Sequence, residues 1–332
     1  TITLPTGSIT DQAGNSITVF TSKFTVDFVK PTVTSVDPAN NKIINVANKA
    51  LVITFSEAIK AGSAFTSIKV TNADGVSVDP LYKVINGKTL TLTRNGNYIN
   101  GLTYTITLPT GSITDTAGNT LATAFTSKFT IDTTKPTVTA NLATGVYNTT
   151  KSVTLTATDN VDSNPAIYYT TNGGTPTISS TRYTTPITIS TTTTLKFIGR
   201  DSAGNVAAVQ TRTYTIDKIA PTISSSDPVA GAFNVSGDKV IKVTFSEPVK
   251  AGTLFIELVN DAGVNVPVSS SISGKVLTVT PSSFLNAGRY SFILHTGSVT
   301  DLTNNPLALT GFSFYTFSDT LAKVKVDDRF YY

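Results

Sequence analysis

The feature that most constrains this chain is an internal repeat. The segment TITLPTGSIT at residues 1–10 recurs unchanged at residues 105–114, and the match resumes with FTSKFT, which starts at Phe20 and again at Phe125. The two copies end at Pro31 and Pro136, so one repeat spans about 104 residues. A repeat of this length is long enough to bury its own hydrophobic core, which predicts an array of similar folded units.

A more divergent third copy lies toward the C-terminus. TFSEAIKAG at 54–62 corresponds to TFSEPVKAG at 244–252, and LPTGSITDTAGN at 108–119 corresponds to LHTGSVTDLTNN at 294–305. The residues between the second and third copies have a different pattern but also end with an Asp followed by a Pro. We therefore expect the following division: the last two strands of an incomplete repeat at 1–28, domains at 29–133, 134–217 and 218–318, and a tail at 319–332.

Apolar residues alternate with threonine throughout these units. Leu51, Ile53 and Phe55, for example, alternate with Val52 and Thr54. A period of two is typical of antiparallel strands with one buried face, and no window shows an amphipathic helix of useful length. Short turns rich in Asn and Gly separate the strands. About seven short strands in ~100 residues predict an all-β fold of tandem immunoglobulin-like β-sandwich domains.

The junctions between units are short and contain proline. Only three residues separate Asp27 from Pro31, Asp132 from Pro136, and Asp217 from Pro221. Because proline restricts its own backbone and that of the preceding residue, such linkers are stiff. We therefore expect the domains to form an extended array.

Composition excludes several classes of function. The chain has no Cys, Met or Trp and a single His, which removes thiolate chemistry, disulfide frameworks and histidine triads. A net charge of +4 without a basic cluster gives no basis for nucleic-acid binding. No apolar stretch reaches the ~20 residues that a membrane-spanning helix needs. We expect no enzyme, no resident cofactor and no membrane insertion in this segment.

Two known families share motifs with these units. The repeat resembles bacterial and archaeal Ig-like domains of S-layer and adhesin type, on the basis of Phe55-Ser56-Glu57, Gly101-Leu102-Thr103-Tyr104 and Thr114-Asp115 with Gly118-Asn119. The last copy departs from it by carrying Thr303-Asn304 in place of Ala117-Gly118. The segment 134–217 resembles the C-terminal Ig-like domain of chitobiase and β-hexosaminidase, on Gly145–Asn148, Ile167–Thr170 and Asp201–Asn205. Both resemblances imply spacer, stalk or ligand-presenting modules of surface proteins.

One acidic motif occurs four times. Asp11, Asp115, Asp201 and Asp301 each precede an asparagine by four residues. The favoured interpretation is a turn in which the Asp accepts backbone N–H groups and Gly or Asn takes a positive φ. The alternative is an oxygen-ligated Ca²⁺ site at Asp115, Asp201 and Asp301, completed by a junction acid such as Asp27, Asp132 or Asp217.

Two other residue types invite a catalytic interpretation that the pattern does not favour. His295 stands where the sister copies carry Pro109 and Pro5, so it is expected to be structural. Glu57 and Glu247 lie in different domains and each precedes a lysine by three residues, Lys60 and Lys250. We expect a local Glu–Lys pair or a strand-end cap at each, and no catalytic carboxylate pair.

Sugars could enter in two ways. Tyr168, Tyr169, Arg182 and Tyr183 offer stacking faces and donors for a carbohydrate, although strand alternation turns one of two adjacent tyrosines inward. The simpler interpretation is a mixture of core and surface tyrosines. Asn148 and Asn234 begin Asn-x-Thr and Asn-x-Ser sequons and are candidate glycosylation sites.

The two ends of the chain carry incomplete elements. A pair of strands within 1–28 cannot bury its own apolar face, so something must cover Ile2, Leu4, Phe24 and Val26. The simpler expectation is the missing part of the same repeat in a longer protein. The alternative is a second copy that adds a strand, and the alternating tail at 322–326 could supply one.

These patterns favour a non-catalytic structural segment of a microbial cell-surface protein: a stalk, a filament or an S-layer component, with an adhesive role left open. The expected location is extracellular. The expected partners are other copies of the chain or other envelope proteins, and glycans remain an option. The alternatives are a carbohydrate-binding adhesin module and the accessory domains of a larger extracellular glycoside hydrolase.

Overall fold

A computed structural model describes residues 1–79 and 81–317 of this 332-residue chain. Within them, the one helical element is a 3-10 turn at Phe65–Ser67, and all other regular structure is β-strand. The prediction of an all-β chain built from tandem sandwiches is confirmed. No helix in the described ranges has the length and hydropathy needed to span a bilayer. The strand expected in the tail 319–332 lies outside the described residues.

The first complete domain contains ten strands in two main sheets. One sheet has the order β3-β5-β9-β8 and the other β4-β12-β10-β7, while β6 and β11 form a separate pair. All pairs are antiparallel except β4 with β12, which is parallel. The strands are β3 (Val33–Asp37), β4 (Lys42–Ile44), β5 (Leu51–Phe55), β6 (Ile59–Ala61), β7 (Lys69–Asn72), β8 (Leu81–Asn86), β9 (Thr89–Arg94), β10 (Thr103–Leu108), β11 (Ile113–Asp115) and β12 (Phe125–Ile131), and they follow β1 (Ile2–Leu4) and β2 (Phe20–Ser22).

The core of this domain is built by the period-two pattern. Leu51, Ile53 and Phe55 of β5 are almost completely buried, whereas the threonines between apolar positions stay partly accessible. Tyr104 and Phe129 stack with ring centroids 5.6 Å apart at the centre of the core. Successive side chains of a strand point to opposite faces of the sheet. The alternating pattern therefore gives one face that is buried in the core and one that is accessible to solvent.

The last domain repeats this arrangement. Its sheets have the orders β22-β23-β27-β26 and β25-β28-β30, and β24 pairs with β29. A parallel bridge from Val235 to Thr316 takes the place of the β4–β12 pair. Here the strands are β22 (Ile223–Asp227), β23 (Ile241–Phe245), β24 (Val249–Ala251), β25 (Ile256–Asn260), β26 (Val268–Ser273), β27 (Val276–Pro281), β28 (Gly288–Leu294), β29 (Val299–Asp301) and β30 (Thr310–Thr316).

The middle domain has a different sheet order and a core of its own. A five-stranded sheet runs β14-β21-β20-β17-β18, and two pairs, β13-β16 and β15-β19, accompany it. Leu195, Phe197 and Tyr214 are fully buried in its core. The strands are β13 (Thr137–Ala140), β14 (Gly145–Tyr147), β15 (Lys151–Val153), β16 (Leu155–Thr158), β17 (Ala166–Thr170), β18 (Thr181–Arg182), β19 (Ile187–Ile189), β20 (Thr193–Arg200) and β21 (Gln210–Ile216).

The N-terminal segment forms a hairpin of β1 with β2, paired over three residues. Ile2 is 55% exposed and Phe24 is 62% exposed, while their repeat equivalents Ile106 and Phe129 are fully buried. The same sequence is therefore apolar surface in one copy and core in the other. The domain limits that the sequence suggests stay a prediction, but three separate buried clusters lie within 51–131, 138–214 and 235–314.

Candidate functional site

The repeated Asp–Asn turn has the geometry that the sequence predicts. Asp115 Oδ1 accepts the backbone N–H groups of Ala117 and Asn119 at 2.9 and 2.8 Å, and Asn119 Nδ2 donates to Asp115 Oδ2 at 2.7 Å. Gly118 completes the turn with a φ of +100°. The other three copies of the motif make the same Asp–Asn contacts.

In three of the four turns the asparagine also holds the linker that enters its domain. Asn119 Nδ2 donates to the backbone carbonyl of Asp27 at 2.9 Å, Asn205 to that of Asp132 at 2.8 Å, and Asn305 to that of Asp217 at 3.0 Å. The sequence separations are 92, 73 and 88 residues. The turn of each complete domain is therefore a clamp on its own incoming linker.

The linker aspartates are ordered by bonds of their own. Each accepts at Oδ1 a hydrogen bond from the backbone N–H two residues later, for instance from Thr134 to Asp132 at 3.1 Å. The backbone N–H of Asp132 donates to Ile44 O at 2.9 Å, and that of Asp217 donates to Tyr147 O at 2.9 Å. Asp132 and Asp217 are thus bonded to the preceding domain through their N–H and to the following domain through their C=O.

A third acid completes each junction. The first cluster consists of Asp27, Glu57 and Asp115. The second consists of Asp132, Asp159 and Asp201, and the third of Asp217, Glu247 and Asp301. Within each cluster one carboxylate oxygen from every member lies within 4.8 Å of the others. The repeated motifs suggest the junction acid and the turn acid as partners, but they do not indicate that Glu57, Asp159 and Glu247 contribute.

Of the two expectations for Glu57 and Glu247, a Glu–Lys pair or a strand-end cap, the Glu–Lys pair is wrong. Across residues 1–79 and 81–317, neither Glu57 nor Glu247 forms an ion pair with a lysine. Lys60 Nζ lies 3.5 Å from Thr116 O and Lys250 Nζ lies 3.1 Å from Leu302 O, so each lysine reaches the backbone of the turn on the paired strand. The glutamates lie beside the other two acids of their cluster instead.

Burial, together with neighbouring carboxylates, raises the pKa of one acid in each cluster. Burial raises the pKa of Glu57, and the charges of Asp115 and Asp27 add to the shift. The pKa of Glu247 rises for the same reasons, with Asp301 and Asp217 as neighbours. Burial, followed by Asp159 and Asp201, likewise raises the pKa of Asp132. At each junction the surroundings therefore disfavour the charged form of at least one acid.

The turn aspartates of the first and third clusters have pKa values that are lowered instead. Burial acts to raise the pKa of Asp115, but hydrogen bonds from Asn119 and the turn backbone outweigh it and hold the pKa below its ordinary value. The pKa of Asp301 is lowered in the same manner, against its own burial, by Asn305 and Thr303. Each of these two clusters thus combines a turn carboxylate favoured as an anion with a neighbour whose charge is disfavoured.

His295 has a local role. Its Nε2 lies 2.8 Å from Glu257 Oε2, and its ring stacks on Phe255 with centroids 4.1 Å apart. These contacts fit the structural role expected from its repeat position, where the other copies carry proline.

The candidate sugar residues are divided between two environments. Tyr169 and Tyr183 pack against the core of the middle domain, with ring centroids 6.5 Å apart and edge to face. Tyr168 is half-buried and is the register partner of the exposed Arg182. Among the sequons, Asn234 is exposed with a φ of +58°, while Asn148 is half-buried. Sugar binding and glycosylation stay predictions.

The clamp predicts the effect of removing one asparagine. In an Asn305→Ala variant the backbone carbonyl of Asp217 and the carboxylate of Asp301 lose their amide donor. We expect the last domain to lose about 1–3 kcal/mol in its free energy of unfolding, measured by chemical denaturation. Asn15→Ala is the matched control, because Asn15 makes the same contact to Asp11 but is exposed and, within the described residues, donates to no linker carbonyl. An equal loss in both variants would contradict the clamp.

Comparison with known proteins gives two family matches. The family described as bacterial Ig-like domain matches residues 27–131 and 217–318, and the chitobiase/beta-hexosaminidase C-terminal domain matches residues 142–211. None of the curated proteins matches the chain.

Solved structures that are similar to this chain have low sequence identities and low TM-scores. Titin domains I67–I69 in a mutated variant are 9% identical, cover 88% of this chain and 100% of their own, and give a TM-score of 0.42. The N-terminal part of the bacterial S-layer protein SbsC is 17% identical over 56% of this chain and 44% of its own, with a TM-score of 0.24. Fibronectin(III)-like modules of CbhA from Clostridium thermocellum are 14% identical over 56% of this chain and 94% of their own, with a TM-score of 0.30.

At these identities and TM-scores, the solved structures do not indicate a function for this chain. The family match is stronger, because it covers more than half of the residues and includes both repeats that carry the TFSE motif. The expected resemblance is confirmed: this chain belongs to the bacterial Ig-like domain family.

Proposed function

We propose that this chain is a non-catalytic spacer in a microbial cell-surface protein, located outside the cell. Its mechanism is mechanical: rigid sandwiches are joined by linkers that cannot swing freely. The observation that carries the proposal is the bond from Asn119, Asn205 or Asn305 to the linker carbonyl, which occurs at each of the three junctions.

The same bonds limit how the domains can move. A three-residue linker with a proline already has few conformations, and each linker aspartate fixes a further turn. Holding the carbonyl of that aspartate from the next domain leaves little freedom at the junction. A stalk, a filament or a surface layer needs this property, because each transmits position or force over a distance.

Small-angle scattering tests the shape. A compact globule of this length has a radius of gyration of about 20 Å. We expect a clearly larger radius and a maximum dimension several times the width of one sandwich. A radius near that of the globule would contradict the spacer. Antibody labelling of intact and lysed cells tests the location, and we expect equal labelling before and after lysis.

The middle domain supports a second candidate, the accessory region of a larger extracellular glycoside hydrolase. The match of residues 142–211 to the chitobiase/beta-hexosaminidase C-terminal domain favours it. The exposed Arg182 is the register partner of Tyr168, and it lines a groove together with Tyr183 and Pro165. Titration with chitin oligosaccharides distinguishes the two, since the spacer predicts no binding and the accessory domain predicts binding that a Tyr168→Ala variant abolishes.

A further inference from the structure

We propose that each of the three acidic clusters binds one calcium ion, which joins the linker to the domain that follows it. The proposal concerns Asp27, Glu57 and Asp115 at the first junction, and their counterparts in the second and third clusters. Each cluster contributes carboxylates from three separate parts of the chain: the linker, the end of an early strand, and the Asp–Asn turn.

In the second cluster, the strongest evidence for a bound cation is Oδ2 of Asp132. Asp132 is fully buried, and its Oδ1 accepts the N–H of Thr134. Its Oδ2 is buried, has no hydrogen-bond partner among the residues that the structure describes, and lies in the cluster with the other two acids. A buried carboxylate oxygen with neither donor nor cation is costly, and a bound cation removes that cost.

Asp159 shows the same division of roles. Its Oδ1 accepts the backbone N–H groups of Val161 and Asp162, both at 3.0 Å. Its Oδ2 is buried and finds no hydrogen-bond partner within 1–79 and 81–317. In the first cluster Oε1 of Glu57 is likewise buried and has no hydrogen-bond partner in the described part of the chain. Carboxylate oxygens without a hydrogen-bond partner among the described residues therefore occur at two junctions. They belong to the linker acid and the strand-end acid, and not to the aspartate of the Asp–Asn turn.

The middle domain argues against a chance origin of this pattern. Its sequence around Asp159 does not match the TFSE motif of the other two domains, and its family match is different. It nevertheless places an acid where the others place Glu57 and Glu247. The three-acid arrangement therefore accompanies the junction and does not depend on one particular strand sequence.

The donor set favours calcium. All candidate ligands are carboxylate oxygens, which suit hard cations, whereas zinc and copper favour nitrogen or sulfur. Calcium lies about 2.3–2.6 Å from its ligands, so oxygens up to about 5 Å apart can share one ion. The observed limit of 4.8 Å meets this condition. Calcium also accepts irregular geometry and bidentate carboxylates more readily than magnesium does.

The consequence for the molecule rests on the proposed function, although the binding itself does not. A cation held by a linker acid and two domain acids stiffens the junction, so a spacer would be rigid where calcium is present and more flexible where it is scarce. A scattering result that contradicts the spacer would leave the calcium sites unaffected, and the absence of binding would leave the shape unaffected.

Calorimetric titration of the full chain with CaCl₂, after removal of metal with EDTA, tests the proposal. We expect three ions per chain with dissociation constants of about 0.1–1 mM, as in other extracellular modules, and a higher melting temperature for each domain. No heat and no change in melting would overturn the sites. An equal effect of magnesium at the same concentration would overturn the assignment to calcium.

A single substitution separates ligation from structure. In an Asp132→Asn variant we expect two ions per chain, and we expect the metal-free protein to be at least as stable as the parent because a like-charge repulsion is removed. If the variant is less stable without metal but still binds three ions, Asp132 is only structural and the second site is wrong. Asp74→Asn is the matched control, since Asp74 lies in an exposed turn outside the clusters, and it should leave three ions bound.

Discussion

A Phe129→Ala variant is expected to unfold one domain at a much lower temperature while the other two melt as in the parent. Phe129 is fully buried, stacks on Tyr104 and meets Tyr98 edge to face with centroids 5.3 Å apart. Removing a buried phenylalanine costs about 3–5 kcal/mol through lost burial and the cavity that remains. This is a large share of the roughly 5–15 kcal/mol that stabilises a domain.

The repeat supplies a matched control for this experiment. Phe24 has the same neighbours in sequence, FTSKFT, but is 62% exposed. A Phe24→Ala variant should leave all three transitions unchanged in differential scanning calorimetry. If Phe129→Ala moved every transition together, the three cores would not be independent, and the description of the chain as a tandem array would be wrong.

A Gly62→Ala variant is expected to destabilise the first complete domain by about 3 kcal/mol, at the upper end of the cost of overpacking. A Cβ at Gly62 would lie 2.2 Å from Gly111 O and 3.2 Å from Ile113 N. Both are backbone atoms, so no side chain can move aside and the β6–β11 pair has to separate. Gly252 has the same contact in the last domain, 2.1 Å from Gly297 O, which explains why the AG and TGS motifs occur together.

Gly75→Ala separates this contact from the general cost of replacing glycine. Gly75 has a φ of +78°, and no atom of the described residues lies within 4 Å of the position that an added Cβ would take, so the expected cost is the strain of the left-handed backbone. We expect a loss of about 1–2 kcal/mol in the same domain, measured by urea denaturation. If Gly62→Ala cost no more stability than Gly75→Ala, the β6–β11 contact would be loose.

Much of the fold can be predicted from the sequence because the alternation of apolar and polar residues within a strand indicates which face is buried. The alternation in Leu51–Phe55 predicts which side chains form the core, and the structure confirms it. The Asp115–Asn119 turn is predictable for the same reason, since its bonds join residues at most four positions apart. Hydrogen bonds between residues a few positions apart depend little on the rest of the fold.

The acidic clusters were only partly predictable, because they depend on which loops meet at one end of a sandwich. Asp27 and Asp115 could be proposed as partners from their repeated motifs. Proximity in sequence suggests Lys60 as one possible partner of Glu57, the alternative being a strand-end cap, but the β6–β11 pairing places Lys60 Nζ at Thr116 O. Asp159 had no motif to mark it, since the middle domain lacks the TFSE sequence. Such contacts are fixed by topology and not by local pattern.

The central claim is that the linkers are held by the domains that follow them, and a distance distribution tests it most directly. The chain has no cysteine, so spin labels can be attached at Thr126→Cys and Thr188→Cys, two exposed strand positions on either side of the second junction. Pulsed electron paramagnetic resonance should give one narrow distribution, which an added Asn205→Ala substitution broadens. A broad distribution in the otherwise unaltered chain would show that the domains swing freely and would contradict the account.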